Sequence, residues 1–296
     1  MFNWFKKTKH SKPIYNFVEI DSSDLDQFPN GIGDLYNRKV DGFLIRGVLS
    51  KDEVDRLLRN YAKVKPEEID HPNPGLQMFP KAFSQLDQGS RQSTELLQNY
   101  FLENVSFWKN FPQRFEMDFE AVVKKTLERI GGGRKANKPD GENGVGAYTP
   151  ATIKKMIPVE GHLVPHCGNL FHKEFPTFFG HLQEFSIVSD QLSYFVMLAA
   201  PAEGGELVLY DVEWKDAQIR LEDKTTLEGI NGKKYDLENE RKVKRQLVNP
   251  GPGDMIVFAG GNIWHRVAFV GGNASRITMG GFLSRSKDDK TVYFWS

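Results

Sequence analysis

The stretch PHCGN, residues 165–169, sets a histidine two places before a glycine, with the chain's single cysteine, Cys167, between them. Many iron enzymes grip the metal with a histidine and, two residues on, a carboxylate. Here Gly168 stands where that acid would be. A second stretch, NPGPGDMIVFAGGNIWHRVAFVGGNASRITMGGFLS (249–284), carries His265 and Arg276 on consecutive β-type runs, eleven residues apart. Neutral imidazole is a good Fe(II) ligand. A guanidinium deeper in a barrel forms a fork-like pair with a carboxylate. The two functions together suit a metal and a keto-acid cosubstrate. By residue type alone, an edge histidine and a surface arginine account for the stretch equally well.

The first histidine ligand has three candidates by type and spacing. His166 ends the short apolar run HLVPH. His172 opens HKE, in which Glu174 would complete a two-histidine, one-carboxylate triad with His265. His181 opens HLQ, with Gln183 a poor metal ligand. HKE is the conventional choice, and spacing does not settle it. Asn169 is either a hydrogen-bond donor near the site or ordinary turn chemistry. Trp264 and Phe195 are either walls of an apolar pocket or core aromatics.

These residues must be positioned by a strand-rich back half. YFVMLAAP (194–201), ELVLYDVEW (206–214), DMIVFAG (254–260), WHRVAFV (264–270) and RITMGGFL (276–283) are short β-type runs punctuated by Gly, Pro and Asn, as in an antiparallel sandwich or barrel. The front half reads as strands at 15–20 and 40–49 followed by helices. Ser50 is the predicted N-cap of the first of these, and 93–111 and 115–130 are two more amphipathic helices. GGGRKANKPDGENG (131–144) reads as a polar loop. Residues 215–246 are highly charged without alternation, which predicts a solvated insertion near the barrel mouth and a candidate lid.

Composition excludes several classes. The 296 residues are 39% hydrophobic and 26% charged, as in an ordinary soluble globular protein. Lys plus Arg and Asp plus Glu are 39 each, so no global field recruits nucleic acid or an anionic membrane. One cysteine excludes an intrachain disulfide and fits a reducing compartment. The basic start MFNWFKKTKHSK lacks the apolar stretch of a signal peptide, and no apolar run approaches a membrane span. The expectation is a cytoplasmic protein without nucleic-acid or membrane partners.

Ordered blocks across nearly the whole chain carry a resemblance. DGFLIRGV (41–48), YTPATI (148–153), PHCGN, SDQLSYF (189–195), GGELVLYDVEW (204–214), PGDMIVFAGGNIWHRV (252–267) and GGFLSRSKDDKTVYFWS (280–296) resemble the Fe(II)/2-oxoglutarate halogenases that act on free-standing hapalindole-type indole alkaloids. The likeness is weakest over 65–145 and 215–246. It implies an α+β fold with a double-stranded β-helix (jelly-roll, cupin-like) core flanked by helices. One oxygenase-type domain would span 1–296, with a helix-rich front (1–145) and a jelly-roll core (146–296) holding the charged insertion 215–246.

The resemblance also implies roles. His166 and His265 fall on the iron histidines, Arg276 on the arginine that binds 2-oxoglutarate, and Ser193 on a serine that orients the oxidant. Gly168 falls on the glycine of the family's H-x-G motif, where the halide binds, and Glu174 drops into the following loop. Asn169, next in sequence, is by residue type a candidate to hydrogen-bond around the halide, with turn chemistry its alternative. The implied cofactors are Fe(II), 2-oxoglutarate, O2 and chloride or bromide. The implied partner is a hydrophobic small molecule, with no carrier protein. A glycine in place of the acid leaves a coordination position and one less negative charge, so a halide can bind iron there. Halogenation then depends on holding the substrate radical nearer the halide than hydroxide. A hydroxylase or desaturase of the same fold, and a non-catalytic binding jelly roll, are the alternatives.

Overall fold

Apolar residues at alternate positions build the strands of the back half, and a computed structural model describes residues 13–83, 86, 94–174 and 179–296 of the chain. The basic start, residues 1–12, lies outside the described residues. The strands are β1 (Phe17–Asp21), β2 (Gly42–Arg46), β3 (Asp70–Asn73), β4 (Leu76–Phe79), β5 (Lys135–Asn137), β6 (Thr152–Met156) and β7 (Leu163–His166). They continue as β8 (Leu192–Ala199), β9 (Leu207–Glu213), β10 (Arg245–Val248), β11 (Met255–Phe258), β12 (Ile263–Val267), β13 (Arg276–Arg285) and β14 (Thr291–Trp295).

Two sheets face each other. The larger runs β1-β2-β11-β8-β13-β6-β4-β3, with β14 on β13 and β5 on β14. The smaller runs β10-β9-β12-β7. This is the jelly-roll α+β architecture expected from the sequence. In the front half β1 and β2 fall on the two predicted strands at one edge of the large sheet, while β3 and β4 add an unforeseen strand pair at the other edge. Residues 131–144 hold a short strand, β5, where the composition predicts only a loop.

The helices α1 (Gly31–Tyr36), α2 (Lys51–Tyr61), α3 (Thr94–Phe115) and α4 (Phe119–Arg129) belong to the front half. The predicted cap of α2 is present: the Glu53 amide donates to Ser50 Oγ at 3.3 Å, and the Ser50 amide donates to the Glu53 carboxylate at 2.7 Å. Trp108, Phe111 and Phe115 stack along one face of α3, with ring centres 4.6 and 4.3 Å apart. They join Val54 and Leu57 of α2 and Val123 and Leu127 of α4 in one buried cluster with strand residues such as Phe43, Ile45 and Val196. The helices thereby cover one face of the large sheet and leave its other face to the small sheet. Two short helices follow β7, α5 (Gly168–Glu174) and α6 (Gly180–Phe185).

The charged insertion is ordered. Residues 219–220, 226–228 and 234–236 form a three-stranded antiparallel sheet. Ala217, Leu227, Leu237 and Val243 are buried against Val208, Tyr210 and Val212 of β9 and Trp264 of β12. Those strand residues alternate with Leu207, Leu209 and His265, so the insertion covers the outer face of the small sheet. No helix among the described residues is long and apolar enough to cross a membrane.

Candidate active site

His166 closes β7 and His265 lies in mid-β12, and the antiparallel register makes them direct partners. Their ring centres are 4.3 Å apart. Each Nδ1 sits 2.7–2.8 Å from the carbonyl oxygen two residues earlier on its own strand, Val164 for His166 and Ile263 for His265. A carbonyl only accepts, so Nδ1 carries the proton and each Nε2 lone pair is free. Burial, with the neighbouring His265, holds the His166 imidazole well below its ordinary pKa. Burial likewise pushes His265 down to about 4. Both rings are therefore neutral at pH 7, the form that binds a metal.

The two histidines open into a cavity of about 410 Å³ between the sheets. Its walls are largely apolar and aromatic, with Phe171, Phe179, Phe195, Phe258 and Phe282 among them. Arg276, the first residue of β13, reaches the same cavity and is only 2% exposed. Its Nη1 donates to Thr278 Oγ1 at 3.4 Å, while its buried Nε has no partner. The guanidinium lies 5.1 Å from the centre of the Phe195 ring. Burial without a counter-ion lowers its pKa to about 10. A carboxylate in the cavity would supply the missing partner.

Gly168 begins α5, and its amide donates to the Gly260 carbonyl at 2.9 Å. The Asn169 amide donates to the next carbonyl, Gly261, at 3.0 Å. The Asn169 side chain is also committed: Nδ2 donates to Asp190 Oδ1 at 2.7 Å, and Oδ1 accepts from the Asp190 amide at 2.9 Å. Asn169 thus ties three turns together, at 166–169, 189–191 and 260–262, and does not line the cavity. Ser193 on β8 does line it. Its hydroxyl fits against Gly260, where a Cβ would come within 2.2 Å of Oγ.

Glu174 ends α5 exposed and away from the cavity, and His172 contacts Gln183. The HKE alternative therefore does not meet His265. Among the described residues no Asp or Glu lines the cavity, and no group of three or more His, Cys, Asp or Glu side chains is placed to hold a metal. Trp264 faces outward and donates to the Ala217 carbonyl at 2.9 Å, so it supports the insertion rather than the cavity. Cys167 points the same way, and burial pushes its thiol up to about 12.

Two cavity groups and one residue behind the cavity wall carry no local signal in the sequence. Lys154 on β6 faces inward opposite Thr278, with Nζ 5.8 Å from the centre of the Phe282 ring. Burial and the neighbouring Arg276 lower its pKa to about 8. Arg220, from the insertion, donates to the Pro165 carbonyl at 2.8 Å and lines the cavity. Gln191, the residue before β8, lies directly behind Gly168. Only the pairing of distant strands brings these groups together, and no local pattern marks them.

A jelly roll that presents paired neutral histidines and a buried, unpaired arginine to one cavity defines the Fe(II)/2-oxoglutarate oxygenase class. Among solved structures the chain is similar to an N-substituted L-amino acid dioxygenase from Burkholderia ambifaria AMMD, at 15% identity and a TM-score of 0.52, over 88% of this chain and 89% of that one. It is also similar to a 2OG-Fe(II) oxygenase family oxidoreductase from Burkholderia pseudomallei, at 12% identity and a TM-score of 0.44, over 94% and 100% of the two chains. A third is the non-heme alpha ketoglutarate dependent epimerase SnoN from nogalamycin biosynthesis, at 14% identity and a TM-score of 0.43, over 89% and 86%. Comparison with curated proteins gives no match. The model of the family described as "Carrier-protein-independent halogenase WelO5" matches residues 14–296. The chain belongs to this halogenase family, and the protein is an oxidoreductase whose substrate is free of a carrier protein.

Proposed function

We propose that the protein is a non-haem Fe(II)/2-oxoglutarate-dependent aliphatic halogenase acting on an unactivated C–H bond of a free-standing, largely apolar small molecule, with indole alkaloids the first class to try. The observation that carries this reading is the facing pair His166 and His265, with Gly168 in place of an acid and, among the described residues, no carboxylate on the cavity wall. The donor set fits the group: two neutral imidazoles with free Nε2 atoms suit Fe(II). Iron with 2-oxoglutarate, O2 and halide supplies hydrogen abstraction and halogen transfer, with release of succinate and CO2.

The chain's own residues do the rest. His166 and His265 hold the metal through Nε2, each oriented by the carbonyl behind Nδ1. Arg276 and Thr278 hold the distal carboxylate of 2-oxoglutarate. Ser193 offers a hydroxyl at the cavity wall to orient the reacting groups. The phenylalanines exclude water and hold an apolar substrate, so that its radical stays near the halide. With Arg276 neutralised by 2-oxoglutarate, Lys154 and Arg220 have no acidic partner among the described residues and anchor a polar or acidic group of the substrate. The reading further places the protein in the cytoplasm, as one oxygenase-type domain over 1–296, with neither nucleic acid nor membrane as partner; balanced charge and a single buried thiol support this.

The test is anaerobic addition of Fe(II) and 2-oxoglutarate to the metal-free protein, followed by O2. The expected result is a visible charge-transfer band, then succinate formed as 2-oxoglutarate is consumed, both lost in His265→Ala. A protein that gives neither band nor succinate is a binding jelly roll and contradicts the proposal.

A further inference from the structure

Behind Gly168 lies a carboxamide with nothing to bond to. Gln191 is 0% exposed, and neither its Nε2 nor its Oε1 has a hydrogen-bond partner among the described residues. Buried polar groups are nearly always paired, so an amide orphaned at both ends calls for a partner from outside the described residues, a water or a ligand. A Cβ placed on Gly168 would meet Gln191 Nε2 at 2.8 Å and Cγ at 2.9 Å. The amide therefore borders the direction in which a residue-168 side chain would leave the backbone.

The arrangement is built rather than incidental. The hydrogen bonds of Gly168 and Asn169 to Gly260 and Gly261, and of Asn169 to Asp190, hold the Gln191 turn against the end of β7. A Cβ on Gly261 would come within 2.4 Å of the Gln191 carbonyl, so the two turns touch backbone to backbone. A carboxamide turns by half a rotation about its last bond, and its NH2 group donates where an anion accepts, so an anion beside Gly168 would draw the NH2 end toward itself.

We propose that Gln191 is a halide-binding residue: its Nε2–H donates to the chloride or bromide held in the position that Gly168 leaves free. This assignment rests on the halogenase reading above. Gly168 makes the vacancy, and Gln191 makes it selective for an anion.

The test is a sodium chloride titration of the anaerobic Fe(II)/2-oxoglutarate protein, followed by its visible band, in wild type, Gln191→Met and Gln191→Asn. Met keeps the volume and removes the donor, while Asn keeps an amide but retracts it by one methylene. Gln191→Met is expected to bind chloride about tenfold more weakly, equal to about 1.4 kcal/mol. Gln191→Asn shifts in the same direction, and Fe(II) and 2-oxoglutarate affinities stay within about twofold, since a hydrogen bond to an ion is lost without touching either ligand. Chloride affinity unchanged in Gln191→Met overturns the assignment. If that variant fails to form the iron band, unchanged affinity in Gln191→Asn overturns it instead. A wild-type band indifferent to chloride overturns the halogenase reading itself, and this assignment with it.

Discussion

His166 and His265 face one another across β7 and β12, and each donates its Nδ1 proton to a carbonyl of its own strand. The pair is therefore preset: the strand register fixes the distance, and the two carbonyls fix the tautomers before any metal arrives. Neither ring depends on the metal for its orientation.

That burial has a pH signature. The folded protein resists protonating His265 until about pH 4, while the unfolded chain takes up the proton near 6.5. Between those values the unfolded state binds more protons, so metal-free stability is complete above pH 6.5 and falls as the pH drops toward 4. At pH 5 the interval is about 1.5 units, and at about 1.36 kcal/mol per unit His265 alone removes about 2 kcal/mol. Denaturant unfolding of metal-free wild type and His265→Asn at pH 7 and pH 5 measures it as the difference between the two proteins. An equal loss in both contradicts the burial argument.

Gly168→Asp is expected to abolish chloride dependence by placing a carboxylate in the halide position. The structure adds a cost, because the new Cβ meets Gln191 Nε2 at 2.8 Å and the Gly261 Cα at 3.0 Å. Forced repacking of this kind costs about 1–3 kcal/mol. Calorimetric melting of Gly168→Asp alone and combined with Gln191→Ala checks this. The second change should recover part of the lost stability, and a single variant as stable as wild type would contradict the close fit.

Arg276→Met is expected to weaken 2-oxoglutarate binding by about a hundredfold or more, some 3 kcal/mol, because a buried carboxylate loses its charged partner. The metal-free protein should lose no stability, since an uncompensated buried cation is removed. Isothermal titration of 2-oxoglutarate and denaturant unfolding measure the two effects. Unchanged 2-oxoglutarate affinity would move the cosubstrate elsewhere, with Lys154 the nearest alternative cation.

The strand-rich back half and its residues His265 and Arg276 were legible because alternation, turn residues and residue type all agree there. His166 was not separable from His172 by spacing, since both begin polar runs after apolar ones. The deciding fact is the β7–β12 register, a pairing of segments about a hundred residues apart that no local pattern encodes. The resemblance supplied His166 where spacing left it open. The insertion 215–246 read as solvated because charge dominates its composition. Its buried residues Ala217, Leu227, Leu237 and Val243 follow no regular period, so a sheet over the outer face of β9 and β12 was hidden. Trp264 read as a possible pocket wall, yet alternation from His265 already turns it outward. Gln191 carried no signal of its own: an amide in a turn is ordinary until the fold buries both its ends.

The central claim is that a halide occupies the metal position beside Gly168. The most direct measurement is the visible band of the anaerobic Fe(II)/2-oxoglutarate protein, recorded with and without chloride. A halide at that position predicts a band whose position or strength changes saturably with chloride in wild type and not in Gly168→Asp. A band indifferent to chloride in wild type would contradict it and leave a hydroxylase or desaturase of the same fold.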